Sequence, residues 1–211
     1  MKKLALLAAA LFAAAPVLSA QTGTLTFVNG GSVDDGHYYV GNYNAKLDGA
    51  PITVNCVDFF HEVNNGDVWT VNETSLTGGD LSNTRLAGNS NALDLYEQAA
   101  FLTGQYAGAS NTDIVNIQHA IWTLFGGVTD PNVNNAASQA WITFAQTNFA
   151  TSNFDYSNYE ILTQVGAAGD QVQYDGTKQE FLTTTPEHSS MAILGTGLFG
   201  LVPMIRRRRK S

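Results

Sequence analysis

The two ends of the chain limit which part of it can fold as a globular domain. The first twenty residues, MKKLALLAAALFAAAPVLSA, place two lysines before an apolar run that ends in Pro16 and the small residues Ser19 and Ala20. This is the layout of a secretory signal peptide, and the apolar run is shorter than the roughly 20 residues needed to span a bilayer. We therefore predict a signal peptide at residues 1–20 and a mature chain that begins at Gln21.

Residues 186–211 form a second hydrophobic signal at the other end. Pro186 and Glu187 precede a mostly apolar run at 191–205, and the chain ends in RRRRKS. Basic residues prefer the cytoplasmic side of a membrane, so the tail is expected to insert in the inner membrane and leave the mature segment outside. A plain C-terminal membrane anchor is the alternative. The residues predicted to carry the sorting signal are Pro186, Glu187, Arg206, Arg207, Arg208 and Arg209.

This order of short motif, apolar run and basic cluster resembles the PEP-CTERM sorting signal of exosortase substrates. His188 departs from the pattern, because the family usually has a second proline there. The resemblance implies export through the inner membrane of a Gram-negative-type bacterium, transient insertion of the tail, and its removal by an exosortase-type sorting protease. The mature protein would pass from the periplasm to the cell surface or extracellular matrix.

The segment between the two signals, residues 21–185, has the usual length of one domain and a strongly acidic composition. Its basic residues are Lys46, Arg85 and Lys178, against seventeen acidic ones, so its net charge is −14. Nucleic-acid binding needs clustered basic side chains that neutralise phosphates, and this class of function is therefore excluded. The shortage of lysine also leaves few amines that could react with a second copy of the chain.

Two kinds of hydrophobic pattern follow one another along the mature segment. Short β-branched and aromatic runs bounded by Gly, Asn and Asp are typical of antiparallel strands, whereas apolar residues at 92–149 recur at helical spacing. This order predicts an α+β fold, in which an antiparallel β-sandwich-like domain carries an insertion of about three helices. The predicted strands are 24–28, 37–43, 52–60, 68–71, 159–163, 171–174 and 180–184, and the predicted helices are 92–106, 110–125 and 134–149.

The only cysteine of the chain lies in the run NCVD at residues 55–58. By the period of two in a strand, Cys56 shares a face with Ile52 and Val54 and is expected to point inward. An unpaired cysteine is unusual in an exported protein.

A helical segment further on carries the run IQHAIW at residues 117–122, in which Gln118 lies one turn from Ile114 and Trp122. Its amide is therefore expected to sit among apolar side chains. The two runs, with the helical run YEQAAFL at 96–102 between them, resemble the thioester domains of bacterial surface adhesins. In that family a cysteine after a strand is joined to a glutamine in Gln-x-Ala-Ile-Trp. The resemblance implies a bond from the Cys56 sulfur to the side-chain carbonyl of Gln118.

Such a bond has a simple chemical origin. A thiolate can attack a carboxamide with loss of ammonia when the fold holds the two groups in contact. The resulting thioester survives only where water is excluded, and a lysine amine that displaces the thiol would form an isopeptide link. Trp122 and Phe60 are candidates for shielding the bond, and Asp58 is a candidate for orienting the cysteine loop or receiving protons.

Other uses of these residues stay open. Cys56 is alternatively a small buried hydrophobe, and Gln118 a helix-surface amide. His61 is expected on the strand face opposite Cys56, which argues against a Cys-His hydrolase, and His119 is expected to be exposed or locally bonded. One cysteine and four histidines give no zinc pattern, and no glycine-rich phosphate loop precedes a helix, so we predict no metal and no cofactor.

Together these patterns predict an exported surface or matrix protein that is not an enzyme. It would use an internal thioester between Cys56 and Gln118 to couple once to an amine of an unknown surface protein or polysaccharide. The alternative is a non-covalent structural or binding component of an exopolysaccharide matrix, with the same fold and a buried free thiol. A cysteine hydrolase is the third and least favoured reading.

Overall fold

The computed structural model describes residues 21–78, 80–170 and 175–184. The predicted signal peptide, the sorting signal and the strand predicted at 171–174 lie outside these residues. The described part forms eight strands and three α-helices, and a 3-10 turn follows the first helix. In chain order the elements are β1 (Gln21–Asn29), β2 (Val33–Asp34), β3 (Tyr39–Val40), β4 (Asn42–Leu47), β5 (Ala50–Cys56), β6 (Val68–Ser75), α1 (Ala92–Thr103), the 3-10 turn (Gly104–Tyr106), α2 (Asn111–Leu124), α3 (Ala136–Asn148), β7 (Tyr159–Gln164) and β8 (Phe181–Thr184).

Six of the strands close into one antiparallel barrel. The order around it is β1, β4, β5, β8, β7 and β6, and β6 pairs with β1 again. Leu25 of β1 lies opposite Trp69 of β6, and Cys56 of β5 lies opposite Phe181 of β8. Closure leaves these strands without an unpaired edge. β2 and β3 pair only with each other and form a separate short hairpin.

The barrel interior is filled by side chains at alternate strand positions. Ile52, Val54 and Cys56 all belong to this inner cluster, which confirms the face assigned to them by the strand period. Cys56 is completely buried there. The thiol therefore occupies the end of β5 on the inside of the barrel.

Two strands are buried on both faces. Leu162 of β7 and Phe181 of β8 belong to the inner cluster, whereas their neighbours Ile161 and Leu182 belong to a second cluster formed with the helices. Adjacent residues of a strand face opposite sides of a sheet, so this part of the barrel wall also forms the floor of the helical layer. The helices are thereby fixed against β7 and β8.

The helices begin where local capping chemistry favours them. Ser110 accepts a hydrogen bond from the N–H of Asp113 at the start of α2. Asn135 and Ser138 form a capping box at the start of α3. These bonds satisfy N–H groups that the first helical turn leaves without a partner. The predicted helices at 92–149 are confirmed, with small shifts at their ends.

The α+β prediction is confirmed in its coarse form, because helices and antiparallel strands both form. A sandwich is not confirmed, since β1 pairs with both β4 and β6 and closes a single barrel. The strand predicted at 37–43 is interrupted at Gly41, whose φ of +83° favours glycine. The strand predicted at 52–60 ends at Cys56, where the chain turns so that the backbone oxygen of Asp58 accepts a hydrogen bond from the Cys56 thiol.

Glu180, just before β8, joins the barrel to the helical layer through a buried carboxylate. It accepts hydrogen bonds from the hydroxyls of Tyr96 in α1 and Thr163 in β7, both at 2.6 Å, and from the N–H of Arg85 at 2.9 Å. Burial raises the pKa of Glu180, although these three bonds act in the opposite direction. The charged form is thus less favourable in the folded protein than in the unfolded chain.

We expect Glu180→Gln to change how stability depends on pH. Because the folded pKa is raised, the wild-type carboxyl contributes fully to stability below its unfolded pKa of about 4.5, and this contribution is lost as the pH rises through the folded value. The difference in unfolding free energy between wild type and variant should therefore fall as the pH rises from 4.5 toward neutrality. Urea unfolding at a series of pH values measures it, and parallel curves would contradict the assignment.

Candidate functional site

Cys56 ends β5 in a tight contact with the residue two positions further on. Its Sγ–H donates to the backbone oxygen of Asp58 at 3.0 Å, and the Asp58 N–H donates to the sulfur at 3.4 Å. Burial raises the pKa of the thiol far above its ordinary value, and the negative charge of Asp58 adds to this effect. The thiol is therefore protonated at neutral pH in the folded protein.

Gln118 of α2 is also completely buried, and the structure brings it onto Cys56. Its Nε2 donates to the backbone oxygen of Cys56 at 2.7 Å. Its Oε1 accepts from the hydroxyl of Tyr106 at 2.9 Å and from the N–H of Gly41 at 3.3 Å. These bonds hold the carboxamide in one orientation. Its oxygen faces the two donors, and its nitrogen faces the backbone oxygen of Cys56.

The two donors to Gln118 come from parts of the chain that sequence reasoning did not assign to the site. Gly41 has a positive φ, and a Cβ placed there would lie 2.7 Å from Cγ2 of Ile114 in α2, so only glycine permits this approach. Tyr106 closes the 3-10 turn after α1, and burial raises its pKa, with a further contribution from nearby Cys56. Of these two donors, only Gly41 could have been suspected from the sequence, because a glycine inside a predicted strand often marks a close approach of the backbone to another group.

Three aromatic rings cover this pair of residues. Trp122, one turn after Gln118, has its ring 5.3 Å from Phe59 and 5.8 Å from Tyr38, and the latter two are 5.2 Å apart. Trp122 is 3% exposed. Its indole lies near enough to Cys56 to act against the raised pKa of the thiol, although its Nε1 has no hydrogen-bond partner of normal geometry within the described residues.

The predicted shielding residues hold different positions in this cluster. Trp122 packs against both Phe59 and Tyr38, whereas Phe60 packs on Phe59, at 5.4 Å between ring centroids. Phe59 and Tyr38 were not predicted. The shielding role itself stays a prediction for Trp122 and Phe60.

Asp58 contacts the sulfur with its backbone and a buried charge cluster with its carboxylate. The carboxylate lies 2.7 and 2.8 Å from Nδ1 of His61 and 2.9 Å from Nε of Arg85. Arg85 also donates to the backbone oxygen of Lys178 at 2.6 Å. The carboxylate is thus used to hold the loop after β5, and orientation of the cysteine is the role that this position favours.

Both histidines near the site differ from expectation. His61 was expected on a strand face opposite Cys56, but the strand has ended and a loop brings it onto Asp58. His119 was expected to be exposed or locally bonded; it is 3% exposed, and its Nε2 lies 2.7 Å from Oδ2 of the distant Asp35. Arg85 was not assigned to the site from the sequence. Its being the only arginine of residues 21–185 is the one sequence feature that could have indicated it.

Two pockets adjoin the aromatic cover. One, of about 300 Å³, is lined by Val57, Asp58, Arg85 and aromatic rings. The other, of about 560 Å³, lies on the side of the β2–β3 hairpin. Phe59, His61 and Trp122 line both pockets.

No protein-family model, curated protein or solved structure matches the chain. Within residues 21–78, 80–170 and 175–184, no helix is both long and apolar enough to cross a membrane. In the same part of the chain, no three His, Cys, Asp or Glu residues are grouped as ligands for a metal ion.

Asp58→Ala should be strongly destabilising, because it removes the nearer of two carboxylates from the buried guanidinium of Arg85 and leaves the more distant one, Asp170, at 4.0 Å. Removing one partner of a buried ion pair costs about 3–5 kcal/mol. The exposed Asp94 in the first turn of α1 provides the control, since Asp94→Ala should cost about 1 kcal/mol or less. Chemical denaturation measures both. Equal losses for the two variants would show that the Asp58 carboxylate does not stabilise the loop.

Proposed function

We propose that this is an exported surface or matrix protein that forms a thioester between Cys56 and Gln118 and couples through it to an amine of a partner. The observation that carries the proposal is the placement of the Gln118 carboxamide. It is completely buried, its nitrogen donates to the backbone oxygen of Cys56, and its oxygen accepts hydrogen bonds from Tyr106 and Gly41.

The first step is attack of the Cys56 sulfur on Cδ of Gln118. Negative charge develops on Oε1, where the Tyr106 hydroxyl and the Gly41 N–H stabilise it as an oxyanion hole does. The bond from Cδ to Nε2 then breaks, and the nitrogen leaves as ammonia with the proton of the thiol. One S–C bond replaces one N–C bond, so no oxidant or cofactor is needed. The bond from Nε2 of Gln118 to the backbone oxygen of Cys56 keeps the two residues adjacent, and the thiol must turn from the backbone oxygen of Asp58 toward Cδ for the reaction to begin.

The second step is attack of a primary amine on the same carbonyl carbon. The sulfur leaves as a thiol with a proton from the amine, and the partner stays attached to Gln118 through an amide. The aromatic rings beside the pair bear on timing, because the thioester must survive water until the partner arrives. The partner is a surface protein or a polysaccharide that carries such an amine.

The few amines of the mature segment support the proposal. Lys178 is held in an ion pair with Asp67, at 2.6 Å between Nζ and Oδ2. Lys46 lies on β4, and its pairing with Pro51 of β5 places it on the barrel wall. Self-coupling between copies is thus limited to very few side chains.

A second candidate is a non-covalent structural or binding component of an exopolysaccharide matrix. The bond from the Cys56 thiol to the backbone oxygen of Asp58 favours it, because a protonated, buried thiol can simply fill space. In that case Gln118 and Cys56 are a packed pair that stays unreacted. The predicted export signals are common to both candidates.

Intact mass spectrometry of the protein purified from the full-length gene separates the candidates. We expect wild type to lack one ammonia more than Cys56→Ala or Gln118→Ala does, and methylamine should add to wild type alone. Cyclisation of an N-terminal Gln21 would also remove ammonia, but that loss would persist in both variants. A full mass with one alkylatable thiol, in protein never exposed to amines, would reject the covalent function.

Tyr106→Phe should form the thioester more slowly while keeping the fold. Loss of one oxyanion donor typically slows a reaction by about 10²-fold or more, and Gly41 remains as the second donor. Tyr156→Phe is the matched control, because its hydroxyl donates to the backbone oxygen of Phe149, in another part of the fold. The rate is followed by mass after refolding. Equal rates for the two variants would remove Tyr106 from the reaction.

A further inference from the structure

We propose that the β2–β3 hairpin is a movable flap over Cys56 and Gln118, and that His119 is the residue that latches it through Asp35. The chemical part of this inference rests on the proposed thioester, whereas the motion of the flap does not. His119 is a positioning residue in this scheme, since it acts through the hairpin on the carboxamide of Gln118.

The hairpin has very little secondary structure of its own. It consists of two residues in each strand, and the pairs are Val33 with Val40 and Asp34 with Tyr39. None of these residues pairs with a barrel strand in the described structure. Tyr39 is 61% exposed. An isolated two-stranded hairpin is only marginally stable in water, so contacts with the rest of the protein must hold this one in place. On the barrel side, Val40 is buried in the inner cluster and the Tyr43 hydroxyl donates to the backbone oxygen of Tyr39.

On the side of α2, one carboxylate supplies the polar contact. Oδ1 of Asp35 accepts hydrogen bonds from the N–H groups of His37 and Tyr38, at 2.8 and 2.7 Å. Its Oδ2 lies 2.7 Å from Nε2 of His119 in α2. Burial acts to raise the pKa of Asp35, but the bonds from Tyr38, His37 and His119 hold it below its usual value. The ionised carboxylate thus ties the turn of the flap to the helix.

His119 is built into the site on its other side. It directly follows Gln118, and its ring stacks near Trp122 at 5.8 Å between centroids. Its Nδ1 is buried and has no hydrogen-bond partner within the described residues. The contact between Nε2 and Asp35 is therefore the one that offsets the cost of burying the imidazole ring.

The inner side of the flap supplies two parts of the site. Tyr38 covers Trp122 and Phe59, and the N–H of Gly41, just after β3, donates to Oε1 of Gln118. Lifting the flap would uncover the aromatic layer and withdraw one oxyanion donor in the same movement. An amine that must reach Gln118 past Tyr38 would require such an opening.

The test compares His119→Leu, which removes the latch, with His119→Gln, whose amide can still donate to Asp35. His37→Leu is the matched control, because His37 lies on the same hairpin and contacts Asp35 only through its backbone. All three are made in the full-length chain, both alone and together with Gln118→Leu, which prevents the thioester from forming.

In the Gln118→Leu background, alkylation of Cys56 by iodoacetamide reports on opening of the flap. We expect His119→Leu to accelerate it by about tenfold or more, the size expected for loss of one charged hydrogen bond, while His119→Gln and His37→Leu stay near the parent rate. Without that background, the thioester of His119→Leu should hydrolyse faster by a similar factor. Amide hydrogen exchange at Gly41 should accelerate in parallel.

Each outcome decides one proposal. Faster alkylation and exchange in His119→Leu, with no ammonia deficit in wild type, would keep the flap and reject the thioester. An ammonia deficit in wild type, with equal alkylation in His119→Leu and His37→Leu, would keep the thioester and overturn the flap. If His119→Leu does not fold, Asp35→Asn weakens the same latch from the hairpin side, and unchanged alkylation in that variant overturns the flap.

Discussion

The completely buried amide of Gln118 is the interaction on which the organisation of this protein depends. A carboxamide removed from water is costly unless its polar atoms are bonded, and here its bonds reach Cys56, Tyr106 and Gly41. These residues belong to the end of a barrel strand, the turn after α1 and the base of the β2–β3 hairpin. Satisfying one side chain therefore brings four separate segments together around the only thiol.

Buried charge fixes the loop that presents this thiol. The carboxylate of Asp58 neutralises Arg85 and contacts His61, while its backbone contacts the sulfur. Buried ion pairs contribute little net stability, but breaking one is expensive, so they select a single conformation. Glu180 is a second buried carboxylate, and its hydrogen bonds from Tyr96 and Thr163 join the helical layer to the barrel. A strongly acidic domain thus commits one of its few cations to shaping the cysteine loop.

The surroundings of Cys56 combine burial with hydrogen-bond donors. Burial raises the thiol pKa, which disfavours adventitious alkylation and oxidation, while Tyr106 and Gly41 both donate to Oε1 of Gln118. Tyr38, Phe59 and Trp122 pack as an aromatic layer, and pockets lie beside it. The proposed movement of the β2–β3 hairpin would uncover this layer, because Tyr38 belongs to the turn of that hairpin.

The sequence by itself determined what depends on neighbouring residues. Strand alternation assigned Cys56 to the barrel interior, helical spacing placed Gln118 among apolar side chains, and capping residues marked the helix starts. Closure of the barrel, the donors to Gln118 and the placement of His61 and His119 were decided by tertiary structure alone. The bonds that define the site join residues 62, 77 and 84 positions apart, and no local pattern specifies such pairings.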